Sequence, residues 1–386
     1  MKKSLLALAA MGAFAGTAQA QSSVTVYGIL DMGYASINQK SSAAAPVDVT
    51  TSGLNVAQPL ASSRLGFRGV EDLGGGLTAG FTIEANVHAN PGTTGSNNAT
   101  AFQFGRHQFV TLESKTAGRV LLGKTDAIVK QIMDSYDAGF SNNLIGAYDG
   151  MGVSLSDIDT AAANANVIGN RRDSVLRYTS PSLGGVNLTA GYMKNTLKSE
   201  TNSVATVDTE DNTGYELGAR FAQGKISAGL GYRSAKSQNM AVAAVAAVPA
   251  TPTTGTVAVA AANTVTNSWA AGLSYDAGPV IGYFQYFNQA IKNELTSTEV
   301  KENAFAVGVR APITKEATLF ASYTTGGKTS AANIDSKMTG YQAGGMYALS
   351  KRTDLYALYG ASKMKADNVA NEGTGQGMAL GIRHTF

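Results

Sequence analysis

The chain has 386 residues, of which 44% are hydrophobic, and it contains no cysteine, so disulfides and cysteine-bound metals are excluded. Its 30 basic and 27 acidic residues lack the strong basic excess that is typical of nucleic-acid-binding proteins. Beyond residue 20 no segment has 18 or more consecutive apolar residues, so no transmembrane helix is predicted. The mean hydropathy of −0.04 fits a soluble protein, but it also fits a protein that crosses a membrane with strands, because only alternate strand residues then face lipid.

The N-terminal residues have the pattern of a secretory signal peptide. Two lysines precede an apolar run over residues 5–15, and a small-x-small cleavage site ends at Ala20. The apolar run is too short for a membrane anchor helix, which needs about 20 residues. We therefore predict a signal peptide over residues 1–20 and one structural domain over residues 21–386.

The remaining chain is dominated by short segments of alternating polarity, which predict β-strands. Each has roughly 9–11 residues, the length that a tilted strand needs to cross a bilayer. Short Gly/Pro turns alternate with long polar loops between them, including a low-complexity Ala-rich loop over residues 240–265. The predicted strands number sixteen and cover residues 24–36, 63–70, 77–88, 104–113, 119–125, 171–179, 186–194, 214–222, 225–235, 268–276, 280–290, 303–311, 317–325, 340–349, 354–364 and 376–386.

The alternation indicates an all-β fold, a 16-stranded antiparallel transmembrane β-barrel. In residues 215–221, for example, Tyr215, Leu217 and Phe221 share one face while Glu216 and Arg220 share the other. Aromatic residues recur at strand ends, as in the interfacial girdles of membrane barrels, and closure of the barrel removes sheet edges that lipid would leave unpaired. A soluble β-sandwich would also alternate, but it usually has fewer strands and no long loops confined to one side.

The longest interruption of this pattern covers residues 126–170. A loop of this length in a compact domain usually has a function, and we predict that it folds into the barrel as a constriction. Some of its acids, such as Asp157 and Asp159, also fit a role as caps or turn formers. Lys130 could supply local positive charge. The acids predicted to reach the constriction are Asp126, Asp134, Asp137 and Asp149.

Polar residues of the predicted inner faces indicate a water-filled interior, because unpaired charges are costly in a packed core. Acids on these faces are fewer than arginines and are mainly Glu84 and Glu216. The arginine excess suggests an anion preference, which the acidic loop could reverse. Lys124 falls on the lipid-facing parity unless a bulge at Gly123 re-aims it. The arginines predicted to line the interior are Arg64, Arg68, Arg106, Arg177, Arg220, Arg233, Arg310 and Arg383.

Several stretches resemble the general-diffusion porins of Gram-negative outer membranes, in the branch typical of β-proteobacteria: SSRLGFRGVEDLGGGLTAGFTIE, GRHQFVTLES, RRDSVLRYTSPSLGGV and the terminal GIRHTF among them. The resemblance implies a homotrimer in contact with outer-membrane lipid and lipopolysaccharide, with its third external loop as the constriction. It implies passive diffusion of ions and small hydrophilic solutes and no cofactor. It also implies that Phe386 belongs to the signal read by the outer-membrane assembly machinery.

Other functions stay open at the level of the sequence. A barrel hydrolase needs a catalytic base, and His88 is the only candidate, because His107 and His384 fall on the lipid-facing parity. A substrate-selective channel would need a continuous aromatic path, whereas the inward-parity aromatics, such as Tyr283 and Phe320, are scattered. A purely adhesive surface protein would need no charged constriction.

Overall fold

The computed structural model describes residues 23–40, 48–54, 59–87, 102–141, 171–200, 207–239, 262–367 and 372–386. The predicted signal peptide and His88 lie outside these residues. Within them, no helix has the length and apolar character needed to span a membrane. The elements are one helix, α1 (Ile128–Ser135), and strands β1 (Ser23–Lys40), β2 (Asp48–Leu54), β3 (Arg64–Gly74), β4 (Leu77–Val87), β5 (Phe102–Ser114), β6 (Gly118–Asp126), β7 (Arg171–Thr179), β8 (Val186–Glu200), β9 (Val207–Gln223), β10 (Ile226–Asn239), β11 (Ala262–Asp276), β12 (Ile281–Asn293), β13 (Glu299–Pro312), β14 (Ala317–Thr329), β15 (Asp335–Ala348), β16 (Thr353–Ala366) and β17 (Gly373–Thr385).

The strands form a closed antiparallel barrel. From β3 onward each strand pairs with the next in sequence, and β17 returns to β1, where Ile29 pairs with Thr385. The seventeen strands occupy sixteen positions in the wall, because β2 and β3 both pair with the edge of β1 that faces away from β17. The predicted sixteen-stranded barrel is therefore confirmed.

Two predicted loops were partly wrong. Residues 48–54 were assigned to a polar loop, yet they form β2, because pairing with β1 satisfies their backbone without any apolar alternation. Residues 262–265 were assigned to the Ala-rich loop, yet they begin β11. Most strands are also longer than predicted. The 17 residues of β9, for example, exceed the nine predicted for that position, because pairing continues through polar residues beyond the apolar band.

The two faces of the wall differ in character. Large apolar side chains, including Leu217 and Trp269, are about half exposed on one face, which we call the outer face. On that face Tyr232 packs against Trp269 with ring centroids 4.3 Å apart. The other face, the inner face, carries the buried polar residues, among them Glu216. An apolar band outside and polar groups inside are what a bilayer requires of a barrel wall.

Glycines form the turn between β3 and β4. Gly74, Gly75 and Gly76 have φ values of 82°, 61° and 81°, a left-handed region that other residues rarely adopt. The strand register shifts here between Asp72 and Gly74. The short turn predicted from the glycine run is thus confirmed.

Candidate functional site

The segment that follows β6, residues 127–141, carries the only helix among the described residues. In α1 the side chains of Ile128, Val129, Ile132 and Met133 are buried. Their spacing places them on one side of the helix. The helix packs with this side against β9, β10 and β11. The sequence predicted only a loop here, because eight residues are too few for a clear helical period.

Glycines on the inner face make room for α1. A Cβ placed on Gly218 would lie 2.8 Å from Cγ2 of Ile128, and one on Gly229 would lie 2.7 Å from Cδ1 of Ile132. Gly272 of β11, which pairs with Gly229, lies directly against Tyr136. Any larger residue at these positions would overlap the segment, so the glycines form a groove into which it docks.

Beyond α1 the segment continues across the next strands of the wall. The side chain of Gln285 on β12 donates a hydrogen bond to the carbonyl oxygen of Met133. On β13, Nε of Arg310 donates to the carbonyl oxygen of Ala138 at 2.8 Å. On β14, Phe320 packs edge-on against Phe140 with centroids 5.6 Å apart. Residues 128–140 therefore cross the inner faces of β9 to β14 in order.

The start of the segment is fixed by an ion pair that joins two residues predicted to face inward. Glu216 is fully buried and accepts hydrogen bonds from the backbone N–H of Ile128 at 3.0 Å and from Nε of Arg177 at 2.8 Å. Arg177 also donates to the carbonyl oxygen of Asp126 at 2.9 Å. Removing either partner would leave a buried charge unpaired, at a cost of about 3–5 kcal/mol.

Asp126, at the end of β6, and the described acids of the segment are each paired or buried. Asp126 pairs with Nε of Arg171 at 3.1 Å, and Asp134 pairs with Lys130 one helical turn away. Asp137 is 2% exposed, and its Oδ2 accepts the amide of Ser141 at 2.6 Å. Burial raises the pKa of the Asp137 carboxyl, because a charged carboxylate loses its hydration there. Asp149, Asp157 and Asp159 lie outside the described residues.

Opposite the segment, arginines project from the inner face of β3 to β7. Arg106 forms an ion pair with Glu84 and donates to Asn86 at 3.1 Å. Arg68 lies over the ring of Tyr27, with Cζ 5.3 Å from the ring centroid. Arg64 donates from Nε to the carbonyl oxygen of Ser62 at 2.9 Å. These contacts hold the guanidinium groups along one wall of the interior.

The other predicted arginines lie elsewhere on the wall. Arg383 pairs with Asp354, with Nε 3.0 Å from Oδ2. Arg220 donates to the Ser135 hydroxyl at 3.2 Å. Arg233 is 2% exposed, and its Nε and Nη1 have no hydrogen-bond partner among the described residues. The predicted set is thus spread around the inner face and does not form one cluster.

A bulge in β5 makes one prediction wrong. His107 was placed on the lipid-facing parity, yet its Nε2 lies 3.7 Å from Asp126. The register shifts between Ile83 and Ala85, so that three residues of β5 stand opposite Glu84 alone, and this breaks the two-residue alternation. His384, which was also predicted to face outward, is exposed and bonds Thr353 through Nδ1 at 3.0 Å.

A second bulge lies beside Lys124, whose face the sequence left open. The register of β6 and β7 shifts between Gly123 and Thr125, and Nζ of Lys124 lies 3.0 Å from Asp173. The predicted set also missed Arg119 and Arg171. Arg119 follows the inward parity of its strand, so the alternation rule already contained the signal.

Within the described ranges, no group of three or more acidic or histidine side chains could hold a metal ion.

Comparison with known proteins assigns the family. The model of the family described as Gram-negative porin matches residues 7–367. Two outer membrane porins, protein 32 of Delftia acidovorans and a porin of Bordetella pertussis, are each 31% identical over the whole of both chains. The structure is similar to that of the anion-selective porin from Comamonas acidovorans, with a TM-score of 0.68 and 26% identity over 95% of this chain and 100% of that one. The chain belongs to the Gram-negative porin family, whose members are outer-membrane channels and not enzymes.

Proposed function

We propose that this porin prefers anions and that residues 127–141 narrow its channel. The observation that carries the proposal is an imbalance of charge. The described acids of the segment are paired or buried, whereas Arg64, Arg68 and Arg119 form no ion pair among the described residues. Fixed charges that line a narrow pore select ions of the opposite sign.

The size of the segment supports the narrowing. Sixteen strands spaced about 4.8 Å apart give a circumference of roughly 77 Å before strand tilt, and hence a width of about 25–30 Å. A helix with its side chains is about 10–12 Å wide. A segment that follows the inner faces of β9 to β14 therefore takes up about a third or more of the width of the lumen. It faces the arginine-bearing wall across the remaining gap.

The inner aromatic residues do not favour a channel selective for one hydrophobic or sugar-like substrate. Phe320 is 4% exposed because it packs against Phe140, and Tyr356 is 4% exposed and donates to Asp31. Tyr283 lies beside Arg310, whose Cζ is 4.7 Å from its ring centroid. These rings are engaged by neighbouring side chains and do not form a continuous surface for a solute.

The oligomeric state is inferred from membership of the porin family and from the exposed apolar band on the outer face. We infer a homotrimer, in which three copies cover part of the exposed apolar band and leave the rest to lipid and lipopolysaccharide. Phe386 is 41% exposed on the outer face, and its backbone N–H donates to the carbonyl oxygen of Gly28 at 3.1 Å. An exposed terminal aromatic residue is accessible to the outer-membrane assembly machinery before the barrel closes.

Planar-bilayer recordings under a tenfold KCl gradient test the proposed selectivity. A channel that passed only chloride would show a zero-current potential of about 59 mV. We expect the sign for anions, and a shift toward zero in a variant with Arg64→Gln and Arg68→Gln. Arg352→Gln, in an exposed turn, is the matched control and should leave the potential unchanged. A potential of the opposite sign in the unmodified protein would overturn the proposed anion preference.

A further inference from the structure

A cavity lies between α1 and the inner face of β4 to β8. Its volume is about 230 Å³, and it is lined by Gln131 of the helix and by side chains of five consecutive strands. It extends along most of β6, with Arg119 near the start of that strand and Thr125 near its end. A solute that passes the segment on its way through the channel therefore meets this cavity on the wall.

The lining favours a negatively charged group. Arg119 lines the cavity and forms no ion pair among the described residues, and its Nε is buried without a hydrogen-bond partner there. Nδ1 of His107 is also buried without a partner in the described part of the chain. Four threonines add hydroxyl groups, including Thr179 and Thr189, whose Oγ1 atoms are 3.3 Å apart. No carboxylate lines the cavity within the described ranges.

The lining also has an apolar part. Phe109 and Leu121 face the cavity, and Leu121 is 7% exposed. Cζ of Arg119 lies 5.8 Å from the ring centroid of Phe109, so the cationic and apolar groups are adjacent. A cavity of about 150 Å³ is large enough for benzene, and drug-sized ligands need about 300 Å³ or more. The cavity thus fits one aromatic ring with a single charged substituent.

We propose that this cavity binds a small monocarboxylate whose apolar part is no larger than one aromatic ring. The carboxylate lies at Arg119, and the apolar part lies against Phe109 and Leu121. This inference deepens the proposed function and rests on it in one respect, because an anion-preferring channel delivers such solutes to the cavity. The site gives the porin a preference among anions that charge along the wall alone would not supply.

Saturation-transfer NMR of benzoate with the detergent-solubilised protein tests the site. Benzoate should bind, and benzyl alcohol, which has the ring without the charge, should bind at least about tenfold more weakly, because a hydrogen bond to a charged group is lost. Arg119→Gln should raise the benzoate dissociation constant at least about tenfold. Phe109→Ala should weaken benzoate binding and leave acetate binding unchanged. Arg352→Gln removes an arginine in an exposed turn outside the cavity and should leave benzoate binding intact.

Failure of the site and failure of the proposed selectivity give different results. Absence of benzoate binding, or equal binding by the unmodified protein and Arg119→Gln, would overturn the site while the zero-current potential still reported anion preference. A cationic potential with Arg119-dependent benzoate binding would overturn the selectivity and keep the site. Should Arg119→Gln not fold, Thr125→Val tests the same cavity, since Thr125 is a buried lining residue that should also be needed for benzoate binding.

Discussion

The docking of the segment depends on the absence of a side chain at Gly272, and Gly272→Ala tests this directly. The added Cβ would lie 2.9 Å from Cβ of Tyr136 and closer still to its ring. Ordinary carbon–carbon contacts are about 3.5–4.0 Å. Tyr136 must therefore move by about 1.5 Å, since Cδ2 of its ring would lie 2.0 Å from the added Cβ. It is 3% exposed and is held by a 3.0 Å hydrogen bond to Ser227, so we expect the helix to move with it.

The magnitude follows from the cost of overpacking. Inserting a methyl group into a well-packed site costs about 1–3 kcal/mol, which corresponds to a reduction of about 5- to 150-fold in the ratio of docked to undocked segment. Undocking widens the channel on the α1 side. Single-channel recordings of Gly272→Ala should therefore show additional openings of higher conductance and weaker anion preference.

A matched substitution separates this effect from a general effect of alanine in a strand. Gly282 lies on the neighbouring strand β12, and a Cβ there would meet no atom within 4 Å. Gly282→Ala should leave the conductance unchanged. In a Tyr136→Gly background, which removes both the overlapping ring and Cβ, Gly272→Ala should have little further effect. Identical recordings from Gly272→Ala, Gly282→Ala and the unmodified protein would refute the docking argument.

Two further outcomes follow from buried acids. Burial raises the pKa of Asp137 against opposing hydrogen bonds from two backbone amides, so docking of its segment is strongest below the ordinary pKa of aspartate and weakens as pH rises through the raised value. Current fluctuations should increase as the pH rises above about 4, and a trend that persists in Asp137→Asn would contradict this assignment. Tyr356→Phe removes a hydrogen bond to Asp31 and should destabilise the barrel by about 1.5–3 kcal/mol. Thermal unfolding on semi-native gels would show it, with the outer-face variant Tyr323→Phe as control, and equal unfolding temperatures would exclude the contribution.

The alternation of polar and apolar residues predicted the barrel because a bilayer imposes one rule on every strand. Leu217 and Trp269 had to face lipid, and Glu216 had to face inward, wherever the strands lay in space. The rule failed where the backbone departed from regular pleating. His107 is one of the three bulged residues of β5, and Gly105, an isolated glycine in the same stretch, was the only sign of the bulge in the sequence. Strand β2 has no apolar face, so only its pairing with β1 defines it.

The sequence predicted that a segment interrupts the strand pattern, but it did not predict the course of that segment along the inner face of the barrel. The gap in strand pattern identified residues 126–170 as special, and the acids Asp126, Asp134 and Asp137 were visible in the sequence. Lys130, the partner of Asp134, was visible as well, but Arg171, the partner of Asp126, lies at the far end of the gap. Arg310, which donates to the backbone carbonyl oxygens of Asp137 and Ala138, lies on the distant strand β13. Gly229 and Gly231 marked small side chains on one strand, but their role required knowing which residues of α1 lie above them.

The pairing of β1 with β17 has a consequence for the order of events in biogenesis. Ile29 and Thr385 are neighbours in the wall, although almost the entire described chain separates them. Until β17 is in place, β1 and β16 each present an unpaired backbone edge, and the apolar band does not yet surround the barrel. The chain therefore cannot mature progressively from its N-terminus as it is translated. The wall closes only once β17 pairs with β1.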